Sequence, residues 1–283
     1  MSGRLAPTPS GSLHVGNALA FALAWLSARR ADRPLLLRME DVDTTRSRQS
    51  LIDGIHRDLR WLGLSTDRET PAQSTRDYRP WLEQLDTYRC ACTRKLLAQR
   101  PCPCRDAGHD EGSIRWRLPP GRVGFQDRRM GRVDVDPTDF GDPVLVRRDG
   151  VVAYTLAVVV DDLTDGVTEV VRGADLVEYT AVQIRLWEAF GATPPTWLHG
   201  PLILSGDGRK LSKSTGSTGV ASWREHGFSA ADLWSQLLPI LGLEGGSLVE
   251  ALPDFRPTGG TLTPVPWPPN GYVGPQLEDG CSD

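Results

Sequence analysis

The chain contains very little lysine. Lys95, Lys210 and Lys213 are its only lysines, although arginine is abundant. Two of the three lie close together in a glycine-flanked segment, Lys210-Leu211-Ser212-Lys213-Ser214. An arginine-rich sequence that keeps two ammonium groups three positions apart favours a loop that brings compact point charges to a ligand whose charge develops during a reaction. A solvated basic loop is the alternative interpretation.

Long apolar runs and net positive charge are also lacking. No stretch approaches the roughly 18 apolar residues that span a bilayer, and the N-terminus lacks a signal-peptide pattern, so we expect a cytoplasmic protein without membrane association. The formal charge of −4 argues against a generally basic nucleic-acid surface, because phosphate contacts dominate such affinity. Any RNA contact must come from a local patch, such as Arg128, Arg129 and Arg132, or Arg147 with Arg148.

Residues 4–17 form a turn-rich segment that leads into an apolar stretch. Pro7, Pro9 and Gly11 predict a turn before a helix whose first backbone N–H groups are unpaired, and these groups and the helix dipole favour a phosphate. His14 lies where the turn enters the helix, and a neutral imidazole there can donate to a phosphate oxygen. This segment and the lysine segment 210–214 together predict two halves of one ATP site.

The apolar spacing predicts an α/β fold. A helix from about Gly16 ends before Pro34, and the strand 35–37 then places Arg38, Glu40 and Asp41 at its C-terminal end, where ligands bind in open α/β sheets. Further helices are expected at 50–62, 77–88 and around 182–190. Further strands are expected within 144–160, with a turn at Asp149-Gly150, and at 167–171 and 198–204.

Composition divides the chain into five expected segments. Residues 1–89 and 143–204 are the two halves of a nucleotide-binding domain, and the segment 90–142, rich in Pro, Gly, Arg and Cys, is an inserted subdomain. Residues 205–243 hold the lysine segment and a helix, which Ser229 and Asp232 begin as a capping box. The Pro- and Gly-rich residues 244–283 are expected to be poorly ordered.

Four of the five cysteines occur as two C-x-C pairs, Cys90 with Cys92 and Cys102 with Cys104. Disulfides are uncommon in a cytoplasmic chain, whereas paired cysteines on two short loops suit tetrahedral zinc, so we expect one structural Zn²⁺. Free structural cysteines are the alternative. The lone Cys281 receives no role.

The motifs resemble those of a known enzyme family. Residues 4–17 resemble the HIGH signature, and residues 210–214 the KMSKS loop, of class I aminoacyl-tRNA synthetases. The segments 38–43 and 171–176 are similar to those of the glutamyl branch, and the short chain resembles a glutamyl-tRNA synthetase without its anticodon-binding part. The match extends from about residue 4 to residue 243. It implies a Rossmann-like class I catalytic domain with an inserted zinc-binding subdomain and a short C-terminal helical segment.

The resemblance assigns roles to individual residues. It implies that His14, Lys210 and Lys213 are catalytic, that ATP is bound by His14, Gly16, Asn17 and Lys213, and that glutamate is bound by Arg4, Leu5, Ala6, Pro7, Thr8, Glu40, Tyr154 and Arg172. Within the glutamate set, Arg4 and Arg172 resemble carboxylate-binding arginines, Glu40 an ammonium acceptor and Tyr154 a pocket wall. Asn17 departs from the signature, which ends in histidine; an amide can hydrogen-bond but cannot become a cation.

The family's zinc pattern is matched in part. It has a C-x-C pair, a later Tyr and a final Cys-Arg, which Cys104-Arg105 resembles. The Tyr position falls near Arg100, which cannot bind a metal. Cys102 is therefore inferred as the fourth ligand, with His109 as a reserve.

The implied substrates are L-glutamate and ATP with Mg²⁺, and the implied acceptor is queuosine in the anticodon stem-loop of tRNA(Asp). The expected protein is a monomer. Four alternatives stay open: a truncated synthetase that charges a tRNA 3′ end, an enzyme that only activates glutamate, a module that binds ATP or tRNA without turnover, and a small-molecule nucleotidyltransferase.

Overall fold

The computed structural model describes residues 2–97, 99, 102–205, 208–209, 219–258, 262–269, 272 and 274–275. Within them the strands are β1 Gly3–Leu5, β2 Leu35–Leu37, β3 Arg68–Glu69, β4 Thr87–Cys90, β5 Ser113–Trp116, β6 Val123–Asp127, β7 Gly131–Val135, β8 Val144–Val146, β9 Glu169–Gly173, β10 Thr196–Gly200, β11 Ile203–Leu204 and β12 Val265–Pro266. The helices are α1 Val15–Arg30, α2 Gln49–Trp61, α3 Arg79–Leu82, α4 Arg94–Leu97, α5 Tyr154–Asp165, α6 Thr180–Ala189, α7 Val220–Glu225, α8 Ala230–Leu237 and α9 Leu248–Ala251.

Parallel strands form the centre of the fold. β1 pairs with β2, and β2 with β3, all parallel. On the other side of β1, a parallel bridge from Ser2 to Val167 leads to β9, which pairs in parallel with β10. β10 meets the antiparallel hairpin β6–β7 at Trp197 and Asp127. This arrangement confirms the predicted Rossmann-like α/β class, and it brings the C-terminal ends of β1, β2 and β9 to one edge.

Helix α1 is buried along most of its length: it packs against β1, β2 and β9, and its apolar residues between Val15 and Ala28 belong to one core cluster with residues of the C-terminal helices. Leu5, Leu37, Trp223 and Leu237 belong to the same core cluster. The predicted helix 50–62 and the capping box of α8 are also confirmed: Ser229 Oγ accepts from Asp232 N, and the Asp232 carboxylate accepts from Ser229 N. The shared core cluster therefore packs the first part of the chain against the segment that follows the lysines.

The inserted region contributes to two sheets. β4, β5 and β8 form an antiparallel sheet, which holds the cysteines at one end of β4, whereas β6 and β7 extend the central sheet. The predicted turn at Asp149-Gly150 is present: Gly150 has a φ of 84°, and Arg147 N donates to Val151 O at 2.8 Å.

Two predicted elements are wrong. The apolar run that we expected to continue as strand to Val160 is helix α5, ended by Gly166 at a φ of 72°. Val158, Val159 and Val160 favour a strand locally. A helix that is buried on several faces has the same continuous apolar sequence as a buried strand, so the pattern alone does not distinguish the two. The helix expected over 77–88 is only α3, and it is followed by β4.

The C-terminal segment, which we expected to be poorly ordered, contains regular elements among its described residues, 244–258, 262–269, 272 and 274–275. α9 lies in this part, and β12 pairs in parallel with β11. Phe255 is 1% exposed and Trp267 2% exposed, so both side chains are part of the main core. Large apolar side chains spaced along a Pro-rich segment anchor it without regular periodicity. Among the described residues, no helix is both long and apolar enough to cross a bilayer.

Candidate active site

A cavity of about 210 Å³ opens at the C-terminal ends of β1, β2 and β9. We call it the sheet-end cavity. Eight residues that the sequence assigned to a site line it: Arg4, Ala6, His14, Gly16, Asn17, Glu40, Tyr154 and, at the end of β9, Arg172. Segments far apart in the sequence therefore meet around one small volume.

A buried ionic network fixes Arg4. Its Nε donates to Asp162 Oδ1 at 3.1 Å, and its Nη1 to the carbonyl of Val171 at 3.3 Å. The same Asp162 oxygen accepts from Arg38 Nη2 at 2.7 Å. Burial opposes ionisation of Asp162, but Arg4 and Arg38 hold its pKa below the ordinary value. Asp162 therefore stays a carboxylate and holds two cations side by side.

Glu40 lies just beyond β2, with 8% of its surface exposed. Burial raises its pKa to about 7, although the nearby guanidinium groups of Arg38 and Arg4 favour the charged form. Arg38 Nη2 lies 3.7 Å from Glu40 Oε1. A carboxylate with this environment ionises fully when a further cation comes next to it.

The guanidinium of Arg172 is surrounded by uncharged acceptors. Nη1 donates to Gln183 Oε1 at 2.7 Å, Nη2 to Thr180 Oγ1 at 2.7 Å, and Nε to His199 Nε2 at 3.1 Å. The Tyr154 hydroxyl lies 3.5 Å from Nη1. Burial lowers the pKa of Arg172. Because these partners carry no negative charge, the cation favours an anionic ligand in the cavity.

His14 is the N-cap of α1 and forms a reciprocal capping box with Asn17. His14 Nδ1 accepts from Asn17 N at 3.2 Å, and Asn17 Oδ1 accepts from His14 N at 3.1 Å. With Nδ1 accepting, the ring proton is on Nε2, which makes that atom a donor. Gly16 leaves room for the ring, because a Cβ at this position would lie 3.0 Å from His14 Nδ1. The amide of Asn17 thus has a structural task in presenting His14.

Lys210 and Lys213 lie outside the described residues, but residues on either side of them reach the cavity. Ile203 in β11 lines it. On the C-terminal side, Gly219 forms an antiparallel bridge with His14, and Val220 N donates to Leu13 O at 2.9 Å. The chain therefore leaves the cavity shortly before the two lysines and returns to the opening turn shortly after them.

Three residues of the predicted glutamate set do not line the cavity. The side chain of Leu5 is in the core, Pro7 is buried, and Thr8 is exposed. Leu5 and Pro7 contribute through the backbone: the carbonyl of Leu5 accepts from Arg38 N at 2.9 Å, and that of Pro7 accepts from Glu40 N at 3.0 Å. The turn therefore positions Glu40 through main-chain hydrogen bonds.

Sequence reasoning missed several polar residues of the site. Asp162 is on α5, which was taken for a strand, and Asp175 and the partners Thr180 and Gln183 of Arg172 received no role. Two adjacent aspartates, Asp161 and Asp162, inside an apolar run were the available signal, because carboxylates buried among apolar residues require cationic partners.

The four cysteines lie together in what we call the cysteine cluster: Cys90, Cys92, Cys102 and Cys104. Their sulfur atoms all lie within 4.8 Å of one another, with Cys90–Cys102 and Cys92–Cys104 at 3.5 Å and Cys92–Cys102 at 3.9 Å. Four thiolates around a tetrahedral metal with bonds of about 2.3 Å would lie about 3.8 Å apart. The cluster could therefore hold a metal ion, and His109 is an exposed residue outside it.

A second cavity of about 490 Å³ lies next to both sites. Tyr154 lines both cavities, and Cys92 lines the second, together with Arg46, Arg115 and Arg147. The second cavity therefore borders the cysteine cluster at Cys92 and the sheet-end cavity at Tyr154.

Comparison with known proteins agrees with this geometry. The model of the family described as tRNA synthetases class I (E and Q), catalytic domain, matches residues 1–101 and 104–237. The chain is 43% identical over 244 residues to the glutamyl-Q tRNA(Asp) synthetase of Synechococcus sp. (strain CC9605), which covers 83% of this chain and 81% of that protein. It is 39% identical over 286 residues to the protein of the same name from Deinococcus radiodurans, with 93% and 97% covered.

The fold is also that of solved glutamate-tRNA synthetases. The Elizabethkingia anophelis enzyme superposes with a TM-score of 0.79 at 24% identity, covering 94% of this chain and 68% of that one. Since the matched family consists of ligases, the chain is an enzyme of that type. It belongs to the glutamyl and glutaminyl class I tRNA synthetases, in the group of the glutamyl-Q tRNA(Asp) synthetases.

Proposed function

We propose that this synthetase joins L-glutamate to AMP in the sheet-end cavity and then transfers the glutamyl group to queuosine in the anticodon stem-loop of tRNA(Asp). One observation carries the first step: residues assigned to glutamate and residues assigned to ATP line the same cavity. Such proximity supplies much of the rate in a displacement at phosphorus, where positioning and charge stabilisation dominate.

Glutamate has two carboxylates and one ammonium group, and the cavity offers a partner of opposite charge for each. Arg172 takes the side-chain carboxylate, because its neighbours are uncharged acceptors. Arg4, whose charge is shared with Asp162, takes the α-carboxylate. Glu40 accepts the ammonium group. A neutral amide would leave the Arg172 cation unpaired, so this arrangement selects glutamate over glutamine.

In the first step an α-carboxylate oxygen attacks the α-phosphorus of ATP, and the bond to the β-phosphate oxygen breaks as pyrophosphate leaves. His14 donates from Nε2 to a phosphate oxygen, and Lys210 and Lys213 stabilise the developing charge on the phosphates. Mg²⁺ bound with ATP would neutralise further phosphate charge. A donor of this kind is worth about 3 to 4 kcal/mol in the transition state.

In the second step a hydroxyl of the queuosine cyclopentenediol attacks the glutamyl carbonyl, and AMP leaves as the hydroxyl loses its proton to solvent. The support is the name and length of the similar proteins, of which this chain covers 81% to 97% in the two cases given above. The arginine-lined second cavity next to Tyr154 suits an RNA strand that brings its acceptor to the adenylate.

The cysteine cluster is proposed to bind one Zn²⁺ through Cys90, Cys92, Cys102 and Cys104. Zinc would supply structural cross-linking of the two C-x-C segments, and no step of the reaction involves it. Elemental analysis of protein purified without chelator should give one zinc per chain; a result of no metal contradicts the proposal. The monomeric state and the cytoplasmic location remain predictions.

The decisive experiment uses labelled glutamate, ATP and two preparations of tRNA(Asp), with and without queuosine. We expect amino-acid-dependent pyrophosphate exchange, and label in the anticodon fragment of the queuosine-containing RNA only. Label at the 3′ end would identify the truncated glutamyl-tRNA synthetase instead. Absence of exchange and of label, with ATP still bound, would identify a non-catalytic module.

A further inference from the structure

A buried histidine stands behind Arg172. His199 in β10 is the direct parallel partner of Arg172 in β9, so both side chains project from neighbouring positions of the sheet. His199 is 0% exposed and does not line the sheet-end cavity, and Asp127 at the end of β6 is also 0% exposed. Neither residue has a role in the mechanism proposed above.

A chain of hydrogen bonds connects the three residues. Arg172 Nε donates to His199 Nε2 at 3.1 Å, and His199 Nδ1 lies 2.7 Å from Asp127 Oδ2. A guanidinium can only donate, so Nε2 must accept and the ring proton must be on Nδ1, where the Asp127 carboxylate accepts it. Burial lowers the pKa of His199, in agreement with a neutral ring.

Asp127 is itself held in place. Its Oδ1 accepts from Arg129 N at 2.9 Å and from Met130 N at 3.0 Å, and its Oδ2 accepts from His199 N at 3.1 Å. Backbone donors therefore fix the orientation of the carboxylate, and the carboxylate fixes the tautomer of the imidazole.

We propose that His199 and Asp127 are positioning residues that orient Arg172 toward the cavity and leave its charge available to the substrate carboxylate. The inference rests on the proposed function, because it concerns the glutamate side chain. A carboxylate in direct contact with Arg172 would neutralise it, whereas an imidazole satisfies Nε without a charge. Asp127 is separated from Arg172 by the imidazole ring of His199. The Nη1 and Nη2 atoms of Arg172 therefore still lack an anionic partner.

The test compares His199→Leu, which removes the acceptor, with His199→Gln, whose amide oxygen can restore it, and with His56→Leu as a control on α2 outside the cavity. Calorimetry measures the Kd of L-glutamate and the Kd of ATP for each folded variant. We expect His199→Leu to weaken glutamate about tenfold or more, as for loss of a hydrogen bond to a charged group, with ATP affinity nearly unchanged. His199→Gln should recover most of the loss.

Equal weakening of glutamate and ATP, or unchanged glutamate affinity in folded His199→Leu, overturns the positioning role. A wild-type protein that binds no glutamate would instead overturn the proposed function. If the variants fail to fold, a measurement on the wild-type protein still tests the proposal. The ¹⁵N spectrum of labelled histidine should show His199 neutral with its proton on Nδ1; a proton on Nε2 contradicts the proposal.

Discussion

The cysteine cluster takes all four sulfur atoms from residues 90–104, whereas the sheet-end cavity combines residues from 4 to 203. The cluster is local: two C-x-C pairs and a short connection contain its whole ligand set. The cavity depends on the order and register of strands that are distant in sequence. A ligand set of the first kind can be read from spacing, whereas the second kind requires the fold.

The two regions also differ in what stabilises them. Among the described residues, the apolar cluster around the cysteines contains only one large side chain, that of Tyr88, so a bound metal would supply much of its stability. The cavity is held by buried ion pairs among Arg4, Arg38 and Asp162 next to the main core. We therefore expect substitutions in the cavity to affect glutamate activation strongly and substitutions in the cluster to affect it weakly.

The largest effect on glutamate activation is expected for Arg172→Gln. Loss of the cation that pairs with the substrate carboxylate should lower kcat/KM for glutamate roughly a hundredfold, which corresponds to a loss of about 3 kcal/mol in transition-state stabilisation. Pyrophosphate exchange measures it, and Arg60→Gln, an exposed arginine on α2, is the matched control. A folded Arg172→Gln protein with wild-type exchange would show that the cavity does not bind the glutamate carboxylate.

Asp162→Asn should break the buried network. Removing one partner leaves Arg4 and Arg38 without their shared carboxylate, which typically lowers the unfolding free energy by about 3 to 5 kcal/mol. Urea unfolding measures the change. Asp77→Asn, in an exposed pair with Arg79, should be indistinguishable from wild type.

Asp162 also determines the direction in which stability changes at acidic pH. Burial opposes ionisation of Asp162, yet the two arginines hold its pKa below the ordinary value. Its contribution is therefore present above the unfolded pKa of about 4 and is lost as the pH falls through the lower folded pKa. In Asp162→Asn, the free energy of unfolding should depend less on pH in the acidic range. An unchanged pH dependence would show that other carboxylates cause it.

A tenfold effect is expected from pH alone on glutamate affinity. Because burial raises the pKa of Glu40 to about 7, the carboxylate that accepts the substrate ammonium is mostly protonated at pH 6 and mostly ionised at pH 8. The affinity for glutamate should rise about tenfold over this interval. Calorimetry at each pH tests this, and Glu40→Gln should bind weakly with little pH dependence. A steep dependence in that variant would assign the titration to another group.

The smallest effect on activation is expected in the cluster. Cys104→Ser should lower the zinc content, but pyrophosphate exchange should stay within about threefold of wild type, because none of the four clustered cysteines lines the sheet-end cavity. Transfer to tRNA should fall further, since Cys92 lines the second cavity. A loss of exchange as large as that of Arg172→Gln would mean that the two regions act as one unit.

Much of the site was accessible from sequence because its signals are local. The capping position of His14, the cysteine pairs and the strand that delivers Glu40 follow from spacing over a few residues. Asp162 was missed because α5 has the composition of a strand, and the described tail was missed because Phe255 and Trp267 anchor it without periodicity.

The sequence alone determined the chemical groups available: scarce lysines, four paired cysteines, and arginines and a glutamate beside a phosphate-binding turn. Tertiary structure decided which of them meet. Only the parallel register of β9 and β10 places His199 behind Arg172, and only the fold joins Arg4 to Asp162. The physical reason is that hydrogen-bonding capacity belongs to each residue, whereas strand order is set by burying apolar surface across the whole chain.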